Sequence, residues 1–194
     1  MALDAIRQIL DFIVEIEKLK GVIRKTRPVG LDRYENSAEH SWHVCLSALM
    51  LKDYANDDVD IDRVIKMLLI HDLGEIDAGD TIIYASETQA IKDEEEAGIK
   101  RVLNILPDDK ADEYLMLWQE FEAGETIDSK YAKAIARVPT LLHNLHGDGH
   151  SWSKHNISKE QVFSVNKRIA KGSEKLWEVL EQELEDAVES GILK

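Results

Sequence analysis

The chain has 194 residues, 44% of them hydrophobic, and a formal net charge of −14 at pH 7. This length and composition predict a single globular domain over residues 1–194 with a sizeable core. The acidic balance excludes a surface built for nucleic acid, because polyanion binding needs clustered Lys and Arg, and none cluster here. It does not exclude a small phosphorylated substrate, because a metal ion and one or two arginines can neutralise phosphate locally.

Cysteine usage and hydropathy indicate where the protein works. The single cysteine, Cys45, cannot form an internal disulfide, and the sequence contains no signal-peptide pattern and no run of eighteen apolar residues. We therefore expect a cytoplasmic protein that does not enter a membrane.

The chain begins with an amphipathic helix, predicted over residues 4 to 20. Its apolar residues recur at helical spacing and form a stripe expected to face the core or a dimer partner: Ile6, Ile9, Leu10, Ile13, Ile16 and Leu19. Residues 21–32 then lose all periodicity and contain Pro28 and Gly30, which predicts a loop.

A second helix is predicted from Ser37 to about Tyr54. Asn36 followed by Glu39 is typical of a capping box, so His40 would lie in the first turn of this helix. His43 follows one turn later and could be a metal ligand by spacing alone. We favour a packing or ligand-supporting role for His43.

The next helix is the central one. Asp60 or Asp62 can cap it, and its run from Val64 to Ile70 is predicted to be too apolar to face water on any side. It ends at His71.

The stretch from His71 to Glu75 predicts a metal site. Adjacent imidazole and carboxylate groups, here His71 and Asp72, cannot share one face of a continuing helix, but they can converge on one ion where a helix breaks. Gly74 is expected to supply that break. His40 is the natural third ligand from another element. The competing interpretation is a helix-terminal histidine with a capping aspartate.

Three carboxylates follow within six residues: Glu75, Asp77 and Asp80. A metal lowers the pKa of its bound water, and a carboxylate within reach can orient that water or return a proton to the leaving group. For Asp77 we favour solvation in a loop. For Asp80 a helix or turn cap is an equal alternative.

The second half of the chain is also predicted to be helical. Expected helices run from Ser86 or Thr88 to Leu106, from Asp108 to Gly124, from about Asp128 to Leu145, and through a C-terminal extension from about residue 157, which Ser158 and Gln161 would open. Four histidines, at 143, 146, 150 and 155, invite a second metal site, but their spacing fits no closed tetrahedral motif, so a flexible turn is favoured.

Three stretches together resemble one family: RYENSAEHSW, IHDLGEIDAGD and LPDDKADEYLMLWQEFE. They are similar to the HD-domain metal-dependent phosphohydrolases, and among these to the 5'-deoxynucleotidase-like branch. The resemblance runs from about Leu19 to about Asn144. It implies an all-α, single HD-domain fold of roughly six to eight helices.

The resemblance also implies a site. Its metal ligands would be His40, His71 and Asp72, holding a divalent ion whose identity among Mn, Co, Fe, Zn and Mg the ligand types leave open. Glu75 would act with Asp72 in catalysis, beside the water, and Asp80 would contact the substrate.

A loop arginine would meet the substrate phosphate in such enzymes. Arg24 and Arg33 are the best matches, and Arg27 is an alternative.

The family pattern departs from this chain at one ligand. The relatives carry a fourth ligand, an Asp, in a helix that shares the pattern Lys-Ala-Ile, found here at 133 to 135. The next residue here is Ala136, which has no lone pair to offer. The fourth position is therefore expected to be vacant and the activity impaired.

The function implied is hydrolysis of a deoxynucleoside 5'-monophosphate to nucleoside and phosphate, by a homodimer. One alternative is a nucleotide pyrophosphohydrolase, although such relatives carry adjacent Glu-Asp where this chain has Glu75, Ile76 and Asp77. Another is a non-catalytic nucleotide-binding module, which Ala136 favours.

Overall fold

The computed structural model describes residues 2–84 and 88–194, and every regular element in these ranges is helical. The α-helices are α1 (Ala2–Glu15), α2 (Ser37–Leu51), α3 (Ile61–Ile70), α4 (Glu75–Ala78), α5 (Gln89–Leu103), α6 (Asp108–Ala123), α7 (Ile127–Leu145), α8 (His150–His155), α9 (Lys159–Asn166) and α10 (Glu174–Glu189). Short 3₁₀ turns occupy Ile16–Gly21, Lys52–Tyr54 and Lys167–Lys171. The predicted all-α fold is confirmed. Within the described ranges, no helix is long and apolar enough to cross a membrane.

Helices α2, α3 and α7 pack against one another at the centre. Their facing side chains, such as Val44, Met67 and Ile135, are fully buried. The hydroxyl of buried Tyr131 on α7 donates a hydrogen bond of 2.8 Å to the carbonyl of Ala48 on α2. This bond ties together the two helices that flank the site.

The central helix α3 is less enclosed than its sequence predicts. Leu69 is 52% exposed, so the expectation that no side of this helix faces water was wrong. The reason is geometric: α2, α6 and α7 contact α3, and Leu69 lies on the side that they leave uncovered.

The helix starts follow the capping chemistry. Asn36 and Glu39 form a complete capping box at α2, and Asp60 caps α3. Ser158 with Gln161 opens α9 as predicted. Thr88 caps α5, whereas the alternative Ser86 lies outside the described residues. Helix α5 ends at Leu103, three residues before the predicted end.

Gly74 lies where α3 has ended, but its backbone is ordinary right-handed helix, with φ −63° and ψ −27°. Glycine is required there for space. A Cβ on Gly74 would lie 2.6 Å from the carbonyl oxygen of Glu95, and one on Gly98 would lie 2.6 Å from the carbonyl oxygen of Gly74. The two glycines therefore let α5 touch the turn backbone to backbone.

Helix α1 lies at the edge of the molecule and buries no residue completely. Ile9 and Phe12 pack against the core, but a second set of apolar side chains faces outward: Leu3, Ile6, Leu10, Ile13 and Val14. At the other end of the chain, Trp177, Leu180 and Leu184 of α10 are buried in the same core as the central helices.

Candidate metal centre

The capping box of α2 places His40 in the first helical turn, where its side chain is 1% exposed. Across from it, His71 follows the last residue of α3. The two ring centroids are 5.6 Å apart. Two histidines distant in sequence thus meet where one helix begins and another ends.

The His71 ring is held in a defined orientation. Its Nδ1 lies 2.8 Å from the carbonyl oxygen of Leu68, which can only accept, so Nδ1 carries the proton. Phe121 packs edge-on against the ring at 5.3 Å, and the Trp118 indole N–H donates to the His71 carbonyl. The Nε2 lone pair of His71 is consequently directed at Asp72.

The donor set suits a divalent cation. Nε2 of His71 and Oδ1 of Asp72 lie 3.1 Å apart, and with Nδ1 protonated both are acceptors. One ligand atom each from His40, His71 and Asp72 all lie within 4.8 Å of one another. Two imidazoles and one carboxylate are ligands that Mn, Fe, Co and Zn accept. The residues therefore fit the metal that the sequence predicts.

Arg24 lies among the carboxylates of this centre, with its side chain 15% exposed. Its Nη1 is 3.0 Å from Asp72 Oδ2, 3.3 Å from Asp80 and 3.7 Å from Glu75. Burial alone lowers the pKa of Arg24, but the surrounding carboxylates outweigh burial and raise it. Arg24 is thus firmly cationic and leaves Asp72 Oδ1 to face His71.

Glu75, the first residue of α4, is buried beside the three ligands. Ser37 Oγ donates a hydrogen bond of 2.6 Å to its Oε2. Burial, helped by Asp72, raises the pKa of Glu75 well above its usual value, while Arg24 opposes this. Burial likewise raises the pKa of Asp80. Both carboxyls therefore bind a proton more readily than an exposed carboxyl does.

Comparison with known proteins identifies the family. A family model described as "HD domain" matches residues 16–177. The chain belongs to the HD domain family. The resemblance found in the sequence is confirmed at this level.

Among curated relatives of this HD domain, 5'-deoxynucleotidase HDDC2 of Homo sapiens is 28% identical over 141 residues, covering 70% of this chain and 66% of the relative. The Mus musculus protein of that name is 27% identical, covering 64% of each. The chain thus spans slightly less than two thirds of the length of these relatives.

A crystal structure described as a predicted metal-dependent phosphohydrolase from Magnetospirillum magnetotacticum matches with a TM-score of 0.92 and 40% identity, covering 98% of both chains. A conserved hypothetical protein from Pyrococcus furiosus matches with a TM-score of 0.60 at 22% identity, covering 90% of this chain and 98% of the other, and shows the fold alone.

The candidate ligands of this HD domain open onto a cavity of about 410 Å³. Ala136, on α7, lines the same cavity as the three ligands, and Glu122 borders it as well. Four further cations line it, none of which the sequence analysis singled out: Lys25, Lys133, Arg137 and Arg168. Lys133 and Arg137 are four residues apart on one face of α7, a spacing that could have revealed them.

The side chains of the three arginines in the loop before α2 lie in different surroundings. Arg24 reaches the cavity. Arg33 pairs with Glu39 at 2.5 Å on the surface, with half of its side chain exposed, and Arg27 pairs with Asp32. Neither lines the cavity.

The side chains of Asp77 and His43 lie outside the cavity. Asp77 lies in helix α4 and not in the predicted loop, and its partly exposed carboxylate forms an ion pair with Arg101. The His43 ring lies away from the cavity, 5.9 Å from that of His143.

Proposed function

We propose that this HD domain is a metal-dependent phosphomonoester hydrolase that acts on deoxynucleoside 5'-monophosphates. The observation that carries the proposal is the convergence of His40, His71 and Asp72 at a cavity that also holds Glu75 and several cations. The relatives named 5'-deoxynucleotidase support the substrate class.

His40, His71 and Asp72 would hold the ion. When bound, a divalent metal supplies Lewis acidity, which draws charge from phosphoryl oxygens and acidifies water. The protein's own part begins with Arg24, which donates a hydrogen bond to Oδ2 of Asp72 and thereby fixes the orientation of that carboxylate.

Glu75 is proposed to handle the proton. The Ser37 hydroxyl fixes Oε2, and burial raises the pKa of Glu75, which makes its carboxylate a stronger base than an exposed one. As water oxygen bonds to phosphorus, Glu75 takes the water proton. As the phosphorus–oxygen bond to the sugar breaks, that proton passes to the departing 5' oxygen, which gives nucleoside and phosphate.

The phosphoryl group would be neutralised from two sides of the cavity. Arg24 supplies positive charge beside Asp72, while Lys133, Arg137 and Arg168 line the cavity elsewhere. We assign phosphate contact to Arg24 rather than Arg33, because Arg33 is exposed and paired with Glu39. Asp80, buried beside Arg24, remains the proposed substrate-positioning carboxylate.

Ala136 is a reason to expect that the enzyme has reduced activity. A methyl group in the helix that faces the three ligands adds no donor, so the ion would be held by three side chains. The same observation favours the second candidate function, a module that binds nucleotide and turns it over very slowly or not at all.

The test is release of phosphate from a panel of deoxynucleoside and nucleoside 5'-monophosphates, with Mn, Co, Zn or Mg added to chelator-treated protein. Release of phosphate that is lost in His71→Gln supports the phosphatase. Pyrophosphate released from a triphosphate would point to the pyrophosphohydrolase. Binding of monophosphate without release of product would establish the module.

A homodimer also remains a prediction. The outward face of α1 is apolar over more than two turns, with Leu10 55% and Val14 70% exposed. A second copy is the partner we expect on this face. Light scattering at micromolar concentration should give twice the chain mass, and a monomeric mass would contradict it.

A further inference from the structure

A second group of possible ligands lies behind the metal centre, away from the cavity. It consists of Glu35, which ends the loop before α2, His43 on α2 and His143 on α7. One ligand atom from each lies within 4.8 Å of the other two. We propose that this rear cluster, Glu35, His43 and His143, is a second binding site for a divalent cation of the zinc class.

Burial distinguishes the rear cluster from an ordinary surface group. Glu35 is 2% exposed, His143 is 5% exposed and His43 is partly buried. Burial lowers the pKa of His143 to about 4 and also lowers that of His43. Both imidazoles are therefore neutral at physiological pH and have a lone pair to offer.

The contact between Glu35 and His143 is not a hydrogen bond. Glu35 Oε1 and His143 Nε2 are 3.9 Å apart, which exceeds hydrogen-bonding distance. The other ring nitrogen, Nδ1, lies 3.4 Å from the hydroxyl of buried Thr26. When Nδ1 donates to Thr26, the lone pair of Nε2 is on the side of the Glu35 carboxylate.

The separation suits a metal ion. Donor atoms about 2.0 to 2.1 Å from a tetrahedral zinc lie roughly 3.3 Å from one another. The pair Glu35 Oε1 and His143 Nε2, 3.9 Å apart, would need to approach by about 0.6 Å to reach that spacing. A set of two imidazoles and one carboxylate selects Zn or Co over Mg and Ca.

The two oxygens of Glu35 have different neighbours. Glu35 Oε2 is buried and has no hydrogen bond, although Arg24 Nε and His40 Nδ1 lie 3.3 and 3.4 Å away. Arg24 thus supplies a positive charge at Oε2. A cation in the rear cluster would bind the other oxygen, Oε1, which faces His143.

The rear cluster shares helix α2 with the metal centre, and it also uses α7, the helix that carries Ala136. His43 lies three residues beyond His40 on α2, and His143 lies seven residues beyond Ala136 on α7, so each pair shares a helix face. Glu35 stands between the two sites, with Oε2 towards His40 and Oε1 towards His143. An ion at the rear would therefore also fix the carboxylate that contacts His40.

The test counts metal in a full-length background from which the front donors have been removed, His71→Gln with Asp72→Asn. Chelator-treated protein is titrated with Co²⁺, followed by visible absorption and by metal analysis after gel filtration. We expect one equivalent to bind with the intense bands of a tetrahedral site, and Zn²⁺ to displace it.

Adding His43→Gln or His143→Gln should each abolish that equivalent, while His146→Gln, an exposed histidine nearby, should leave it unchanged. His43 is only partly buried, so His43→Gln carries the test if His143→Gln does not fold by circular dichroism. The proposal is overturned if the front-site variant binds no Co²⁺, or if bound Co²⁺ survives His43→Gln.

Discussion

Two clusters of donor atoms lie side by side in this HD domain, and they differ mainly in their neighbours. The front cluster, His40, His71 and Asp72, opens onto a cavity of about 410 Å³ with Glu75 and Arg24 beside it. The rear cluster does not line that cavity, and its His143 lies beside buried Thr26. Similar donor sets thus have different surroundings, and only the front cluster has access to a cavity that a substrate could enter.

The largest expected effect is a loss of turnover without a loss of bound metal at the front cluster. In an Ala136→Asp background, Glu75→Gln should keep the ion and lower turnover by about 10² to 10⁴, because general acid–base help is lost. Phosphate release and metal analysis measure the two quantities. Asp77→Asn, the exposed carboxylate two residues on, is the matched control and should leave turnover unchanged. Loss of the ion in Glu75→Gln would instead make Glu75 a ligand.

Ala136→Asp should complete the front cluster and leave the rear cluster untouched. We expect metal affinity and phosphatase activity to rise together by about 10- to 100-fold, the range seen when metal sites lose one supporting residue. Ala136→Asn, of the same size but neutral, is the control and should gain much less. Unchanged affinity in a folded Ala136→Asp protein would contradict the assignment of the fourth ligand.

The rear cluster should respond to pH through Glu35. Burial raises the pKa of its carboxyl to about 7 from an ordinary 4.5. The folded state therefore favours the protonated form, and this contribution to stability is full below pH 4.5 and is lost as pH rises through 7. With chelator present, the free energy of unfolding of the wild type should fall by up to about 3 kcal/mol relative to that of Glu35→Gln as the pH rises from 4.5 to 7.

Denaturant unfolding of both proteins at several pH values measures this difference in free energy. Added Zn²⁺ should reduce the loss in the wild type alone, because the ion favours the ionised carboxylate. A difference that does not vary with pH would show that Glu35 does not titrate in this range.

The smallest expected effect concerns the hydrogen bond that joins α7 to α2 beside the two clusters. Tyr131→Phe removes the hydrogen bond from α7 to the Ala48 carbonyl and leaves that buried oxygen without this donor, which should cost about 1 to 3 kcal/mol. Tyr54→Phe, at an exposed tyrosine, is the control and should cost much less. Equal losses in the two variants would show that the bond does not stabilise the packing of α2 on α7.

The sequence predicted those parts of the fold that depend on local chemistry. The side chains of Asn36, Asp60 and Ser158 each accept a hydrogen bond from the backbone N–H three residues ahead. Because this interaction is local, the helix starts predicted from these residues were confirmed. The exposure of Leu69 was not predictable in this way, because it depends on which helices pack around α3.

The residues of the candidate site also fall into two groups, those that the sequence could reveal and those that it could not. His71 and Asp72 are adjacent and His40 follows a capping box, so their pattern is visible in the sequence. Glu35, Lys133 and Arg168 reach the two clusters only through the packing of distant elements. Arg24 and Arg33 looked equivalent in the sequence, and only the path of the loop distinguishes them.

The paired glycines at 74 and 98 have a consequence for how the protein tolerates change and motion. Each lacks a side chain because the backbone of the other element occupies its place, so even alanine at either position would push α5 off the turn that carries His71 and Asp72. Amide hydrogens of α5 and of this turn should accordingly exchange with solvent as one cooperative unit. Opening of α5 would also move both ligands, which links metal release to the local unfolding of a helix that contributes no ligand itself.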